Sequence, residues 1–120
     1  IMERLVGSEM CIRDRSIEEH ENFFSATSHL PHLISYALIK TIKDKDIDIE
    51  KFSAGGLSEF IRLTKSSETL WSDIFMSNLE NIEKDTEAFI NNMHELLEEA
   101  SKTDSKSLLK KIQLIKKGVS

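Results

Sequence analysis

One proline, Pro31, stands in the middle of a stretch whose apolar residues follow helical spacing, and that conflict limits what the chain can become. Phe23, Ala26, Leu30, Leu33, Ile34, Ala37, Leu38 and Ile42 recur at intervals of three and four, so the segment from about 17 to 43 reads as a helix. Ser16-Ile17-Glu18-Glu19 supplies its start, with Ser16 as N-cap and Glu19 reaching back in a capping box. A proline inside a helix removes one backbone hydrogen bond and crowds the preceding turn, at a cost of roughly 3 kcal/mol. The expectation is a long, proline-bent helix in which the Thr27 carbonyl is freed and nearby hydroxyls satisfy it. Ser25, Ser28, His29, His32 and Tyr36 form a polar stripe along the same rod, and His29 and His32, three apart, share a face. Polar groups and a helix breaker kept together on an apolar stretch mark a site rather than a core.

Helical periodicity continues beyond it, and no alternating strand pattern appears. Residues 44–54 mix charges with isolated apolar residues and end at Gly55-Gly56, which reads as a connector. A short helix from about 57 to 65 carries Phe60, Arg62 and Leu63. Ser66-Ser67 offers an N-cap for a longest helix whose heptad-like seam is Phe75, Leu79, Ile82, Thr86, Phe89, Met93, Leu96 and Ala100. Thr103-Asp104-Ser105 ends it, and a last helix carries Leu108, Leu109, Ile112 and Ile115. The long helix is acidic and the last is basic through Lys106, Lys110, Lys111, Lys116 and Lys117. Antiparallel packing with complementary rims is the expectation. The fold class is therefore all-α, a helical bundle.

Composition narrows the function. At 120 residues the chain is one domain, long enough to bury around two-thirds of its unfolded surface. A net charge of −5 argues against a nucleic-acid surface, and no apolar run approaches the ~20 residues of a membrane span. No secretory signal is evident, and the single Cys11 cannot form an internal disulfide, so a cytoplasmic location is expected. There is neither a Gly-x-Gly-x-x-Gly fingerprint nor a phosphate loop, hence no nucleotide cradle.

The candidate site is built from His29, His32, Arg62 and Trp71. A closed metal site wants three or four ligands, and His20 lies two and a half turns from His29, so metal binding is not expected. Structural burial of the histidines and contact with an anionic ligand remain, and the second is the preferred reading. Arg62 follows the flexible Gly55-Gly56 pair, and Trp71 serves equally as core or as pocket wall. A guanidinium beside an indole and two imidazoles suits a carboxylate held by forked hydrogen bonds. No Ser–His–acid or Cys–His set appears, so nucleophilic catalysis is disfavoured.

With those residues in view, the chain from about residue 16 onward resembles the C-terminal helical domain of prephenate dehydrogenases. His20-Glu21, Ser28-His29-Leu30-Pro31-His32, Tyr36-Ala37-Leu38, Gly55-Gly56, Phe60, Arg62, Trp71 and Asp73-Ile74-Phe75 carry the resemblance. It implies a fold like the C-terminal domain of 6-phosphogluconate dehydrogenase, forming an intertwined homodimer over residues 16–120. It further implies an upstream Rossmann domain that binds NAD and holds the histidine general base, so no catalytic residue and no cofactor-binding residue is expected in this chain. The implied reaction removes hydride from the hydroxyl-bearing ring carbon of prephenate and loses CO2, restoring aromaticity and giving 4-hydroxyphenylpyruvate for tyrosine biosynthesis. By position, His29, His32, Gly55, Arg62 and Trp71 are implied to bind substrate. His20, Glu21 and Glu59 are implied to form a charged network at the interface and entrance; Glu21 and Glu59 stand where the family usually has aspartate. Residues 1–15 read as non-native sequence or as the remnant of the upstream domain. Alone, the chain is expected to be inactive.

Three rival readings follow from the same residues. The enzyme could prefer arogenate, the amino-acid relative of prephenate. The chain could instead be a free-standing interaction module that recruits a partner through its heptad seam, or a metal sensor using His29 and His32.

Overall fold

A computed structural model describes residues 16–51, 55–102 and 104–119. Residues 1–15, including Cys11, and the end of the connector at 52–54 lie outside the described residues. Within them the structure is helical without a strand: α1 (Ile17–Phe24), a π-helical turn (Ser25–His29), α2 (Leu30–Lys43), α3 (Leu57–Thr64), α4 (Glu68–Ser77), α5 (Leu79–Ala100) and α6 (Lys106–Lys116). The all-α expectation is met.

The capping box opens α1 as read. The Glu19 N–H donates to Ser16 Oγ at 3.0 Å, and the Ser16 N–H donates to Glu19 Oε1 at 3.1 Å. Such a cap is worth about 1 kcal/mol. The response to Pro31 differs in detail from a simple bend. The rod from α1 to α2 widens into a five-residue π-turn, and the Leu30 N–H reaches back five residues to the Ser25 carbonyl. Pro31 then falls in the first turn of α2, where a missing N–H costs least. The hydrogen bonds around it are local. Thr27 Oγ1 donates to the Phe23 carbonyl, Ser35 Oγ donates to the Pro31 carbonyl, and an imidazole, that of His32, takes up the Ser28 carbonyl. A π-turn inside an α-helix re-aims the side chains that follow it, and such turns cluster at functional sites.

The predicted long helix starts where expected, with Ser67 Oγ accepting the Leu70 N–H at 3.2 Å, but it is two helices rather than one. Asn78 separates α4 from α5 with φ −121° and ψ 28°. The residue at this joint also commits its side chain to the distant Glu21 carbonyl. Hydrogen bonding runs through the joint nonetheless, from the Asn78 N–H to the Ile74 carbonyl and from the Ile82 N–H to the Asn78 carbonyl.

The chain divides into two compact units between Asp85 and Thr86. In the first, α2 packs on α3, and among the described residues Trp71 and Ile82 are the buried apolar side chains, accompanied by buried Ser25, Ser35 and Asn78. At the entry to α3, Gly55 takes φ +69°, a left-handed conformation that glycine adopts without strain. In the second unit the end of α5 runs antiparallel to α6: Glu99 accepts from Ser107, and Glu95 pairs with Lys111 at 3.3 Å, so the pairing register falls on one helix as it rises on the other. Glu99 also pairs with Lys102 at 2.7 Å; the Lys102 and Ser107 hydrogen bonds hold its carboxyl below the ordinary carboxylate range. These are the complementary acidic and basic rims expected from the sequence.

What the single chain does not do is bury its seam. Of the heptad positions only Ile82 is buried, while Leu79 and Met93 are about half exposed. Leu97, Leu109, Leu114 and Ile115 are each more than half exposed in the second unit. These described residues present apolar faces of the kind that another surface covers.

Candidate functional site

The first unit brings three of the predicted residues together. His29 ends the π-turn, His32 lies one turn on in α2, and Trp71 rises from the first turn of α4. The His32 ring stacks on the Trp71 indole, with centroids 3.5 Å apart and planes 14° from parallel. His29 meets the same indole edge-on at 5.9 Å. Phe75 packs on Trp71 at 5.7 Å, and Tyr36 meets Phe75 edge-on at 6.1 Å. The spacing that put the histidines on one face of the rod is what lets both lie against a single indole.

The two imidazoles are held by different atoms, and the partners fix their protons. A carbonyl oxygen only accepts, so His32 Nδ1 carries a hydrogen and donates it to the Ser28 carbonyl at 3.0 Å. His29 Nδ1 lies 3.1 Å from the Asn78 side-chain nitrogen, which also donates to the Glu21 carbonyl at 2.8 Å. That carbonyl settles which end of the Asn78 amide is the nitrogen, and Asn78 Oδ1 accepts from Asn81 at 2.9 Å. His29 Nδ1 is therefore an acceptor, and its proton sits on Nε2.

Burial holds the His29 pKa below the ordinary imidazole value; nearby His32 lowers it further, and Glu21 opposes both. Folding thus favours the neutral ring. As pH falls, the unfolded chain takes up this proton first. The stabilisation is complete above the ordinary imidazole value and is lost as pH falls through the lowered folded value. His29→Gln is expected to flatten that low-pH decline when urea midpoints are compared from about pH 7.5 to about pH 5. A decline of unchanged steepness would assign it to other groups.

Arg62 hydrogen-bonds to a neighbour on its own helix. Its Nε and one terminal nitrogen both donate to Glu59 Oε1, at 3.1 and 2.9 Å, and both side chains are about two-thirds exposed. His20 packs edge-on against Phe24 at 4.6 Å, and the exposed Glu21 contributes its carbonyl to Asn78. Gly55 has open space where a Cβ would stand. The residue that sequence reasoning missed is Asn78. Its signal was present in Ser77-Asn78, two weak helix formers between the first two positions of the heptad pattern.

Among the described residues no group of three His, Cys, Asp or Glu side chains is placed to hold a metal ion, and no helix is long and apolar enough to cross a membrane. Among the described residues no glycine-rich turn joins a strand to a helix; the Gly55-Gly56 turn leads into α3 from a connector. What these helices define is a helical domain with a histidine–tryptophan ridge. Residues 16–114 match the family described as "Prephenate dehydrogenase, dimerization domain", and the chain belongs to that family.

The chain is 37% identical over 67 residues to the cyclohexadienyl dehydrogenase of Zymomonas mobilis, spanning 52% of this chain and 23% of that protein. It is 31% identical over 81 residues to the prephenate dehydrogenase of Bacillus subtilis, spanning 65% of this chain and 22% of that protein. The chain thus spans less than a quarter of the length of these curated relatives. The crystal structure of prephenate dehydrogenase from A. aeolicus in complex with hydroxyphenyl propionate and NAD+ superposes with a TM-score of 0.78 at 32% identity, covering 85% of this chain and 37% of that one.

Proposed function

We propose that this chain is the substrate-binding and dimer-forming part of a cytoplasmic, NAD-dependent prephenate dehydrogenase that makes 4-hydroxyphenylpyruvate for tyrosine biosynthesis. The observation that carries the reading is the ridge of His29 and His32 against Trp71. It joins an aromatic wall to a fixed imidazole N–H on His29 and a second imidazole on His32. A carboxylated six-membered ring matches such a surface: the imidazole backed by the indole offers a flat wall for the ring, and the His29 N–H meets the carboxylate. Arg62 supplies the forked guanidinium for a carboxylate, exchanging Glu59 for substrate. Gly55 leaves room beside it, and His20, Glu21 and Glu59 form the charged network at the entrance.

An upstream nucleotide-binding domain would hold NAD, which would supply the hydride acceptor. The residues of this chain bind and orient the ring, and they exclude water from it. Loss of CO2 then restores aromaticity, which makes the step irreversible. The exposed apolar residues of α5 and α6 support a homodimer, since a second copy would cover them. Arogenate is kept as a second substrate because one relative carries the broader name cyclohexadienyl dehydrogenase.

Two measurements test this reading. Light scattering is expected to find the chain dimeric at micromolar concentration. The enzyme carrying this domain is expected to reduce NAD+ only when prephenate or arogenate is supplied, with release of CO2. A persistent monomer overturns the dimer, and failure of both substrates overturns the enzyme.

A further inference from the structure

We propose that Asn78 is a positioning residue for His29: its buried amide bridges the Glu21 carbonyl to His29 Nδ1, locks the imidazole as the neutral Nε2–H tautomer, and so presents a fixed N–H donor to a carboxylate oxygen of the ring substrate. The inference rests on the substrate-binding role proposed above for the ridge, and deepens it.

Three observations carry the argument. First, Asn78 is 5% exposed although it is an amide at a helix joint. A buried amide keeps its place when its hydrogen bonds are made, and here both hydrogens of Nδ2 and the oxygen are engaged. Second, those bonds reach residues 57 and 49 positions away in sequence, so the amide ties the α4–α5 joint to α1 upstream of the π-turn and to His29 at its end. Third, the bridge has a direction. Both hydrogens of the amide point outward, one at a carbonyl that only accepts, so an Nδ1–H on His29 would face an N–H. Protonating His29, or moving its proton to Nδ1, breaks the bridge.

The charged and titratable groups facing His29 act on the same balance. From α2, a cationic His32 opposes a second positive ring, while from α1 Glu21 favours one. Trp71 of α4 meets the ring through its edge and adds no charge. His29 and His32 consequently have different tasks. His29 is a neutral donor whose free proton is on Nε2; His32, with Nδ1–H committed to the Ser28 carbonyl, is left with Nε2 for the ligand.

Side-chain 15N–1H correlation spectra of the full chain test this, with His29→Gln used to assign the signal. The unsubstituted chain is expected to show His29 with a pyridine-like Nδ1 and a pyrrole-like, protonated Nε2 at neutral pH. An Nδ1–H tautomer there overturns the proposal, and this arm needs no variant at the joint. In Asn78→Ala the two nitrogen shifts are expected to move toward each other as the tautomers mix, and the His29 titration midpoint to rise toward the ordinary imidazole value. Asn78→Gln, which keeps the amide, is expected to restore part of the tautomer preference. Unchanged nitrogen shifts and midpoint in a folded Asn78→Ala chain overturn the proposal. Hydroxyphenyl propionate added to the enzyme carrying this domain separates the two readings. A fixed tautomer together with a ligand-shifted Nε2 signal supports both. A fixed tautomer with no ligand response supports the positioning of His29 while overturning the ridge as a substrate site.

Discussion

Trp71→Ala is expected to cost the first unit about 3–5 kcal/mol of stability, the range for removing a large buried aromatic ring. Among the described residues the indole is one of two buried apolar side chains in that unit, and three rings lean on it: His32 stacked at 3.5 Å, His29 edge-on and Phe75 tilted at 5.7 Å. Truncation leaves a cavity lined by imidazoles, which are poor candidates for apolar collapse. Total stability of a domain this size is on the order of 5–15 kcal/mol, so the loss removes a large share of it. Trp71→Phe keeps a stacking surface and is expected to lose roughly half as much. Urea unfolding at fixed protein concentration measures both, because dimerisation adds to apparent stability by mass action. A loss below about 1 kcal/mol for the alanine variant would mean that the indole is not the centre of this unit.

Arg62→Ala belongs to the opposite class, with a large effect on substrate and little on the fold. The Arg62–Glu59 pair is exposed on α3, and exposed pairs contribute about 0–1 kcal/mol. A forked guanidinium–carboxylate contact with substrate is worth considerably more. Its loss is expected to raise KM roughly ten- to a hundredfold with kcat much less changed, as for an interaction made equally in the ground and transition states. Arg62→Lys keeps the charge without the fork and is expected to recover only part of the affinity. Steady-state kinetics of the full-length enzyme decide it. An unchanged KM for prephenate would remove Arg62 from the substrate site.

Much of the architecture was legible because it depends on neighbours in sequence. The capping box at Ser16 and Glu19 and the start of α4 at Ser67 are each written in residues three apart, and the break before α6 in consecutive polar residues. The rims of α5 and α6 were legible for a related reason: opposite charges on two consecutive helices have one antiparallel solution. His29 and His32 were legible as a pair, since three residues on a helix define a face.

Other features were not legible in this way. The sequence placed a bend at Pro31, whereas the π-turn that absorbs the proline depends on how α1 and α2 are both held. Asn78 sat unnoticed in a heptad, because its partners lie about fifty residues away and no local pattern encodes them. Arg62 was grouped with the histidines by residue chemistry, and in one copy its guanidinium is on Glu59.

Local spacing by itself determined that this chain is helical, where most of its helices begin and end, and which faces carry imidazoles, acids and bases. Those properties follow from hydrogen bonds and side-chain directions that close within one or two turns. Tertiary structure alone decided that one indole gathers both histidines, that an amide from the α4–α5 joint sets the proton of His29, and that the apolar seam stays open in a single copy. Each of those depends on atoms brought together from distant parts of the chain, where packing rather than periodicity chooses the partner.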